Sequence, residues 1–269
     1  MIYNQDSGGR KRLIQEDGAI YQALTVHRSG RAVDSRPRMQ IVGDWLPELG
    51  FDSGVLVQSL PEPDGLVLNL CNDNINYRDL YNETKAKGGV LNRMYVSNQR
   101  TSKGVTLVTT GKHLLVGGIE LGDACIAKCE YGCIRVRKVE GNVRLLNAAK
   151  TKNPYTGELA PMVYIQGNWL NDIGFTPDTL MTVATEPGCI TFTAHDKPII
   201  YQEIVKYARK HKMQLIQVST HIGVTLIKFG TKRVVDAGFS FGDIFLAEYE
   251  HGIIRLKKLA TERFGFPEG

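Results

Sequence analysis

Apolar and polar positions follow the same order in four segments of this chain of 269 residues. Each segment predicts a strand, a short helical turn that ends at a glycine, a bulky apolar residue, and two further strands joined by a tight turn. In the first segment Val55, Val57, Leu66, Leu68 and Leu70 alternate with other residues, which is typical of half-buried antiparallel strands. The predicted hairpin turns are Asp64-Gly65, Tyr131-Gly132, Pro187-Gly188 and His251-Gly252. We therefore expect a mainly β protein with short helices.

The four units form two matching halves. Both tryptophans lie in the first and third units, within residues 41–51 and 165–175, whereas residues 117–123 of the second unit match residues 237–243 of the fourth. Helices are predicted between the units of each half, over 77–87 and 199–211. The first strands of the units are predicted at 23–26, 94–97, 143–146 and 215–219.

This duplication predicts two domains, since each half holds two units and a helix. The predicted boundaries are an N-terminal tail at 1–19, domains at 20–139 and 140–259, and a C-terminal tail at 260–269. The charged start of the chain, residues 1–12, has no secretory signal, and no apolar run approaches the roughly 18 residues of a membrane span. A cytoplasmic protein without a membrane partner is expected.

Local residue types explain the helical turns. Asp44 and Asn168 are N-cap types whose side chains accept from free backbone N–H groups. Four glycines fit the left-handed position that ends a helical turn, namely Gly50, Gly118, Gly174 and Gly238. The apolar residues of the first turn should face one core, namely Trp45, Leu46, Leu49 and Phe51.

The cysteines predict buried thiols and no metal or cofactor. Three of the five lie at a spacing of four, at Cys125, Cys129 and Cys133. Their counterparts in the fourth unit are Phe245, Tyr249 and Ile253, which are core residue types. A metal cluster is therefore the weaker interpretation.

Basic residues concentrate between the first and second strands of the units. The first connection carries Arg28, Arg31, Arg36 and Arg38, the second Arg100 and Lys103, and the third Lys150 and Lys152. Solvated loop charges are one interpretation. The other is phosphate binding, since guanidinium groups match phosphate oxygens and remain charged. The net charge of +5 is compatible with both.

The tryptophan units resemble the SymE-type toxin family. The residues that carry the resemblance are the run Leu24 to His27, the basic connection, residues 36–41 and the motif Gly43-Asp44-Trp45-Leu46 with Gly50-Phe51, which recurs as Gly167-Asn168-Trp169-Leu170 with Gly174-Phe175. The second and fourth units, with Gly122-Asp123 and Gly242-Asp243, resemble the broader AbrB/MazE superfamily. The chain departs from this pattern because an ordinary member has one unit and this chain has four unequal ones.

The resemblance implies a fold and a function. It implies two tandem swapped-hairpin β-barrels, each made of two βαββ-type units that a helix joins. It also implies a bacterial protein of toxin–antitoxin type that binds RNA or DNA, and in such relatives the basic connection contacts DNA. RNA is the favoured partner here. The alternatives are an AbrB-like DNA-binding regulator and a protein-interaction scaffold or inhibitor. An antitoxin or other protein partner remains open.

A catalytic site is a weaker expectation. The family resemblance includes metal-independent RNA cleavage, which needs a proton acceptor, a proton donor and a cation. His27, beside Arg28 and Arg31, is the weak candidate among six histidines. Scattered surface histidines are the alternative, and binding without catalysis is favoured.

Cations also end the second predicted helix, at Lys206, Arg209, Lys210 and Lys212. They complement the negative end of the helix dipole. A second contact with nucleic acid is the alternative interpretation.

Overall fold

The structure is a computed structural model. It describes residues 13–16, 18–29, 36–43, 45–71, 76–97, 104–152, 157, 159–195, 201–230, 232–241 and 243–259. The chain divides into two compact units, with the boundary between Val139 and Glu140. Both are mainly β with a few short helices.

The first unit contains a seven-stranded and a four-stranded antiparallel sheet. Its strands are β1 (Leu13–Glu16), β2 (Ala19–Thr25), β3 (His27–Ser29), β4 (Arg36–Gly43), β5 (Leu56–Glu62), β6 (Gly65–Leu70), β7 (Val90–Arg93), β8 (Tyr95–Ser97), β9 (Gly104–Thr110), β10 (Ala124–Glu130) and β11 (Cys133–Lys138). Its helical segments are the 3-10 turn Pro47–Leu49, α1 (Tyr77–Ala86) and α2 (Lys112–Val116). The sheets have the orders β1-β2-β10-β11-β6-β5-β7 and β3-β4-β9-β8.

The second unit contains a six-stranded and a four-stranded sheet. Its strands are β12 (Val143–Asn147), β13 (Ala149–Lys152), β14 (Leu159–Gln166), β15 (Leu180–Glu186), β16 (Cys189–His195), β17 (Gln214–Gln217), β18 (Ser219–His221), β19 (Val224–Gly230), β20 (Ile244–Glu250) and β21 (Ile253–Lys258). Its helices are α3 (Trp169–Asp172), α4 (Tyr201–Lys210) and α5 (Lys232–Asp236). The sheets have the orders β12-β20-β21-β16-β15-β17 and β13-β14-β19-β18.

The two repeats of each unit complete each other's sheets. The C-terminal hairpin of one repeat pairs with the first strand of the other: β10 pairs with β2, and β5 pairs with β7. The second unit repeats this exchange, with β20 against β12 and β15 against β17. Equivalent strands of the two repeats also pair with each other, as β4 does with β9 and β14 with β19. Within either unit, neither repeat can form its large sheet alone.

Each first strand crosses from the large sheet to the small sheet at one buried residue. These residues are Val26, Met94, Ala148 and Val218. The other repeat fixes each crossing by backbone hydrogen bonds: Val26 N–H donates to Asp123 O at 2.9 Å, and Gly122 N–H donates to Val26 O at 3.0 Å. The base of the β3–β4 hairpin is therefore held by the second repeat.

The tryptophan motif has a steric cause. A Cβ atom on Gly43 would lie 2.1 Å from Trp45 Nε1, and one on Gly167 would lie 2.5 Å from Trp169 Cδ1. The indole therefore packs directly over the glycine two residues before it, which is why the motif needs glycine there. Trp45, Leu46 and Phe51 lie in the core of the first unit, with Leu49 packed against it, as predicted.

The ends of the helical turns are partly as predicted. All four predicted glycines have positive φ, from 71° at Gly118 to 88° at Gly174. The cap at Asn168 was wrong: its φ of −67° and ψ of −22° are already helical, and its side chain forms no capping hydrogen bond. A cap needs an extended residue, so the helical Asn168 does not meet this requirement. Asp44 lies outside the described residues.

Some element boundaries differ from those expected. Residues 13–19, assigned to a tail, contain β1 and the start of β2, because the turn at Gly18 lets β1 pair with β2. The strand predicted at 94–97 covers β8 and misses β7, which ends at Arg93, just before the chain changes sheets at Met94. The predicted helices correspond to α1 and α4, although residues 199–200 lie outside the described part.

Candidate nucleic-acid interface

The β3–β4 hairpin, residues 27–29 and 36–43, carries most of the described cations predicted to bind phosphate. We expected Arg28, Arg36 and Arg38 in a loop between strands. That prediction was wrong, because all three lie on paired strands. A strand forms here because Pro37, Met39 and Ile41 alternate with polar residues and are buried. Arg31 lies outside the described residues. The cations are therefore held on a sheet rather than on a free connection.

The strand register sorts these side chains by face. His27 is directly opposite Arg38, and Ser29 is opposite Arg36. Directly opposed residues share a face, as do alternate residues along a strand. His27, Arg36, Arg38 and Gln40 therefore lie on the outer face, which we call the cationic face. Arg28 is opposite Pro37 on the other face and remains exposed, because β3 is an edge strand.

Within the described residues, no carboxylate neutralises the charges of the hairpin. Within the described residues, no ion pair joins Arg28, Arg36 or Arg38 to a carboxylate. The only described side-chain hydrogen bond of Arg38 is the one its guanidinium donates to Gln40 Oε1 at 3.4 Å, and Arg38 Nε is buried without a partner among these residues.

Cations on the last strand of each half are neutralised, in contrast. Lys138 and Lys258 pair with Asp123 and Asp243 at 2.9 and 2.8 Å. The remaining pairs are Arg137 with Glu62, Arg255 with Glu250, and Lys257 with Glu248. Hydrogen bonding to Asp123 raises the pKa of Lys138. These cations stabilise the fold locally and leave little free charge for a ligand.

Of the remaining predicted cations, Lys150 and Lys152 belong to the described residues. Arg100 and Lys103 lie outside the described residues. Lys150, on β13, is opposite Pro161 in the same register in which Arg28 is opposite Pro37. Lys152 is exposed at the end of β13.

The structure supplies only one part of a catalytic arrangement. His27 is exposed, and within the described residues it forms no hydrogen bond to a second titratable side chain. Another histidine, His113 in α2, is buried, and its Nε2 has no partner among the described residues. Desolvation lowers the pKa of His113.

Two residues that the sequence did not reveal complete the site. Gln40 contacts Arg38, and Val26 anchors the hairpin to the second repeat. The alternation that begins at Arg36 was a usable signal for Gln40. Val26 had no such signal, because its hydrogen bonds reach residues about a hundred positions away.

The cysteines are buried thiols in part. Cys125 and Cys129 lie in the core of the first unit, whereas Cys133 is half-buried. Burial raises the pKa of the Cys125 thiol to about 12 and also raises that of Cys129. Among the described residues, no group of three or more His, Cys, Asp or Glu side chains is arranged to hold a metal ion.

Every helix in the described ranges is too short or too polar to cross a lipid bilayer. Comparison with known proteins found no matching family model, curated protein or solved structure.

Proposed function

We propose that this protein binds nucleic acid and that the cationic face of the β3–β4 hairpin, with Arg28 at its edge, holds the phosphate backbone. The observation that carries this proposal is the contrast between unpaired and paired cations. Arg28, Arg36 and Arg38 have no carboxylate partner in the described part of the chain, whereas the cations of β11 and β21 form ion pairs. Arginine forks of this kind bind phosphate oxygens through charge-assisted hydrogen bonds.

We also propose that each unit is a swapped-hairpin barrel of the kind implied by the SymE and AbrB/MazE resemblance. The exchange of hairpins between repeats, as in the pairing of β10 with β2, supports this interpretation. In it, each unit corresponds to a pair of short chains joined through α1 or α4. The β3–β4 hairpin then corresponds to the basic connection that contacts nucleic acid in such relatives.

RNA is the first candidate ligand, and the resemblance to SymE-type toxins supports it. Duplex DNA is the second, and the pairing of β3 with β4 at Arg36 and Pro37, beyond the end of the β4–β9 ladder, supports it. The major groove of B-DNA admits a two-stranded β-ribbon, whereas the major groove of A-form RNA is too narrow for side chains to read. If neither RNA nor DNA binds, an antitoxin or other protein becomes the alternative partner.

Salt dependence tests the phosphate contacts. Binding to single-stranded RNA and to duplex DNA is measured by fluorescence anisotropy at several salt concentrations, with the chain and with an Arg28→Gln, Arg36→Gln, Arg38→Gln variant. Each lost phosphate contact should lower the log–log slope by about 0.9 for duplex DNA or about 0.7 for a single strand. A slope lower by about 2 to 3 supports the proposal.

A control variant removes the same number of positive charges, but from cations that form ion pairs. Arg137→Gln, Arg255→Gln and Lys257→Gln also removes three positive charges, but these side chains form ion pairs in the folded protein. We expect its slope to stay near that of the parent chain. Equal slopes for the two triple variants would mean that net charge, and not the hairpin, determines binding.

Catalysis is tested separately. The chain is incubated with labelled RNA and EDTA, and cleavage is compared with that of His27→Ala. If His27 accepts the proton, cleavage should fall by about 100-fold or more. Cleavage that survives this change excludes His27 as the essential base, while a complete lack of cleavage in both supports binding without catalysis.

A further inference from the structure

We propose that the second unit has its own binding surface for single-stranded nucleic acid, on the exposed side of α4 around Tyr207 and His211. Bases would stack on the two rings, and phosphates would contact the lysines beside them. This surface lies on a different unit from the β3–β4 hairpin and does not depend on it.

The first observation is a pair of exposed rings in contact, tilted by 42°. Tyr207 is 49% exposed, and its ring centroid lies 4.4 Å from that of His211, one helical turn further along. Ile204 and Ala208 are buried, so the side of α4 that faces the core is the one that carries them. Exposed aromatic rings accept nucleobases by stacking without sequence preference, because every base has a π-face.

The second observation is the charge around these rings. Lys206, Arg209, Lys210 and Lys212 are all exposed in the last turn of α4 or just after it. Residues 206 and 210 are four apart and occupy one side of the helix, and residue 210 is also adjacent to residue 207 at a spacing of three. The carboxylate in this helix is Glu203, in the first turn. Exposed cations therefore outnumber carboxylates by four to one in residues 201–212.

A second element extends the cationic surface. The Arg233 guanidinium, near the start of α5, donates to Lys212 O at 3.1 Å, and Lys232 beside it is exposed. The helix dipole explains cations at the end of α4. It does not explain the exposed ring pair or the cations contributed by α5. A polyanion that carries aromatic bases matches both features.

The equivalent helix of the first unit provides a natural comparison. In α1, Tyr77 and Tyr81 are also exposed, their rings are stacked with centroids 6.4 Å apart, and Lys85 Nζ lies 5.9 Å from the centroid of the Tyr81 ring. However, α1 contains Asp79 and Glu83, and Glu83 pairs with Lys87 at 2.6 Å. Aromatic residues recur on both helices, whereas the excess of cations is larger at α4: residues 77–87 carry three cations and two carboxylates, and residues 201–212 carry four cations and one carboxylate.

The test uses the full chain and labelled probes: a 15-nucleotide oligouridylate, a 15-nucleotide oligodeoxythymidylate, a 15-base-pair DNA duplex and polyglutamate. The variants are Tyr207→Ala, Tyr207→Phe and the pair Lys206→Gln, Lys210→Gln. The control is Tyr81→Ala with Lys85→Gln on α1. Circular dichroism checks that all variants keep their fold, which is expected because these side chains are exposed.

We expect Tyr207→Ala to weaken single-strand binding about tenfold, in line with the loss of one stacked base. Tyr207→Phe should retain binding, the lysine variant should lose affinity and salt dependence, and the α1 control should match the parent. The inference is overturned if Tyr207→Ala leaves single-strand affinity unchanged, or if it weakens duplex binding equally. Polyglutamate binding as tightly as the oligonucleotides would also overturn it, in favour of an acidic protein partner.

The hairpin variant separates this inference from the proposed function. With Arg28, Arg36 and Arg38 changed to Gln, the effect of Tyr207→Ala on single-strand binding should persist. If the hairpin variant loses all binding, the α4 surface is refuted and the hairpin alone is supported. If the hairpin variant keeps all binding while Tyr207→Ala loses it, the α4 surface is supported and the hairpin is refuted.

Discussion

The four-stranded sheets of the two units share their strand pairing but differ in surface chemistry. Arg28 opposes Pro37 in the first sheet, and Lys150 opposes Pro161 in the second, so the two hairpins align residue by residue. The positions of Arg36, Arg38 and Gln40 are taken by Ala160, Met162 and Tyr164 in the second sheet.

This difference shows which positions the fold leaves open. The inward positions of β4 and β14 are apolar in both sheets: Met39 and Ile41 correspond to Val163 and Ile165. The outward positions have no shared residue type. The scaffold therefore depends on the inward side chains, and the outward ones are free to carry a binding surface in one unit and another chemistry in the other.

The largest expected effect concerns what the two units share. Gly43→Ala should destabilise the first unit by about 3 kcal/mol, because the new methyl group overlaps the buried Trp45 ring. Gly167→Ala should cost a similar amount through Trp169 and its φ of 140°. Differential scanning calorimetry measures the shift.

Double variants separate the two causes. Trp45→Leu should relieve most of the cost of Gly43→Ala, giving a strongly non-additive pair. Trp169→Leu should relieve only part of the cost of Gly167→Ala, because the backbone strain remains. Additive costs in the first pair would contradict the steric account of the motif.

The next effect tests the difference between the sheets. Replacing Arg36 and Arg38 by the residues of the second sheet, as Arg36→Ala and Arg38→Met, should weaken nucleic-acid binding about 10- to 100-fold at moderate salt, because two charge-assisted contacts are lost. Fluorescence anisotropy measures this affinity. The reverse change, Ala160→Arg with Met162→Arg, should strengthen binding. No change in either direction would assign the binding to another surface.

A smaller effect is the pH dependence of stability, which concerns the first unit alone. Its helix α2 carries His113, whereas the equivalent position of α5 is Arg233. Desolvation lowers the pKa of His113 from its ordinary 6.5. The unfolded chain therefore takes up the proton first, so stability is complete above about pH 6.5 and falls as the pH decreases towards the folded pKa. The loss should be at most about 1.4 kcal/mol per pH unit.

Chemical denaturation between pH 7.5 and 5 measures this dependence. His113→Leu should flatten it in the first unit. A parent chain whose stability is constant across this range would show that His113 is not effectively desolvated.

The smallest effect tests whether pairing is what removes a cation from binding. Glu248→Gln with Glu250→Gln would free Lys257 and Arg255. Both ion pairs are partly exposed, so the free energy of unfolding should change by less than about 1 kcal/mol. Affinity for nucleic acid at low salt should rise about two- to threefold. Unchanged affinity would weaken the contrast between paired and unpaired cations.

The sequence predicts the local features well. The positive φ of Gly50 and Gly174 follows from turn chemistry, and the burial of Leu46 and Phe51 follows from their spacing. Periodicity also places α1 and α4 between the repeats.

Features that depend on distant partners were not predictable in the same way. The alternation that begins at Arg36 indicates a strand, but a single repeat does not show what β4 pairs with, because its partner β9 belongs to the other repeat. The cap at Asn168 failed because the chain is already helical there. Tyr207 and His211 are four residues apart, a spacing that brings two side chains together on a helix. Their exposure was not predictable, because it depends on how α4 packs.

The exchange of hairpins has a consequence during synthesis. Ala23 of β2 pairs with Ile126 of β10. The ribosome must therefore add roughly a hundred residues before β2 can pair with β10. At about 5 to 20 residues per second, this strand waits roughly 5 to 20 seconds with an uncovered edge. The nascent chain is open to misassembly during that interval, and chaperones are expected to protect it until the second repeat emerges.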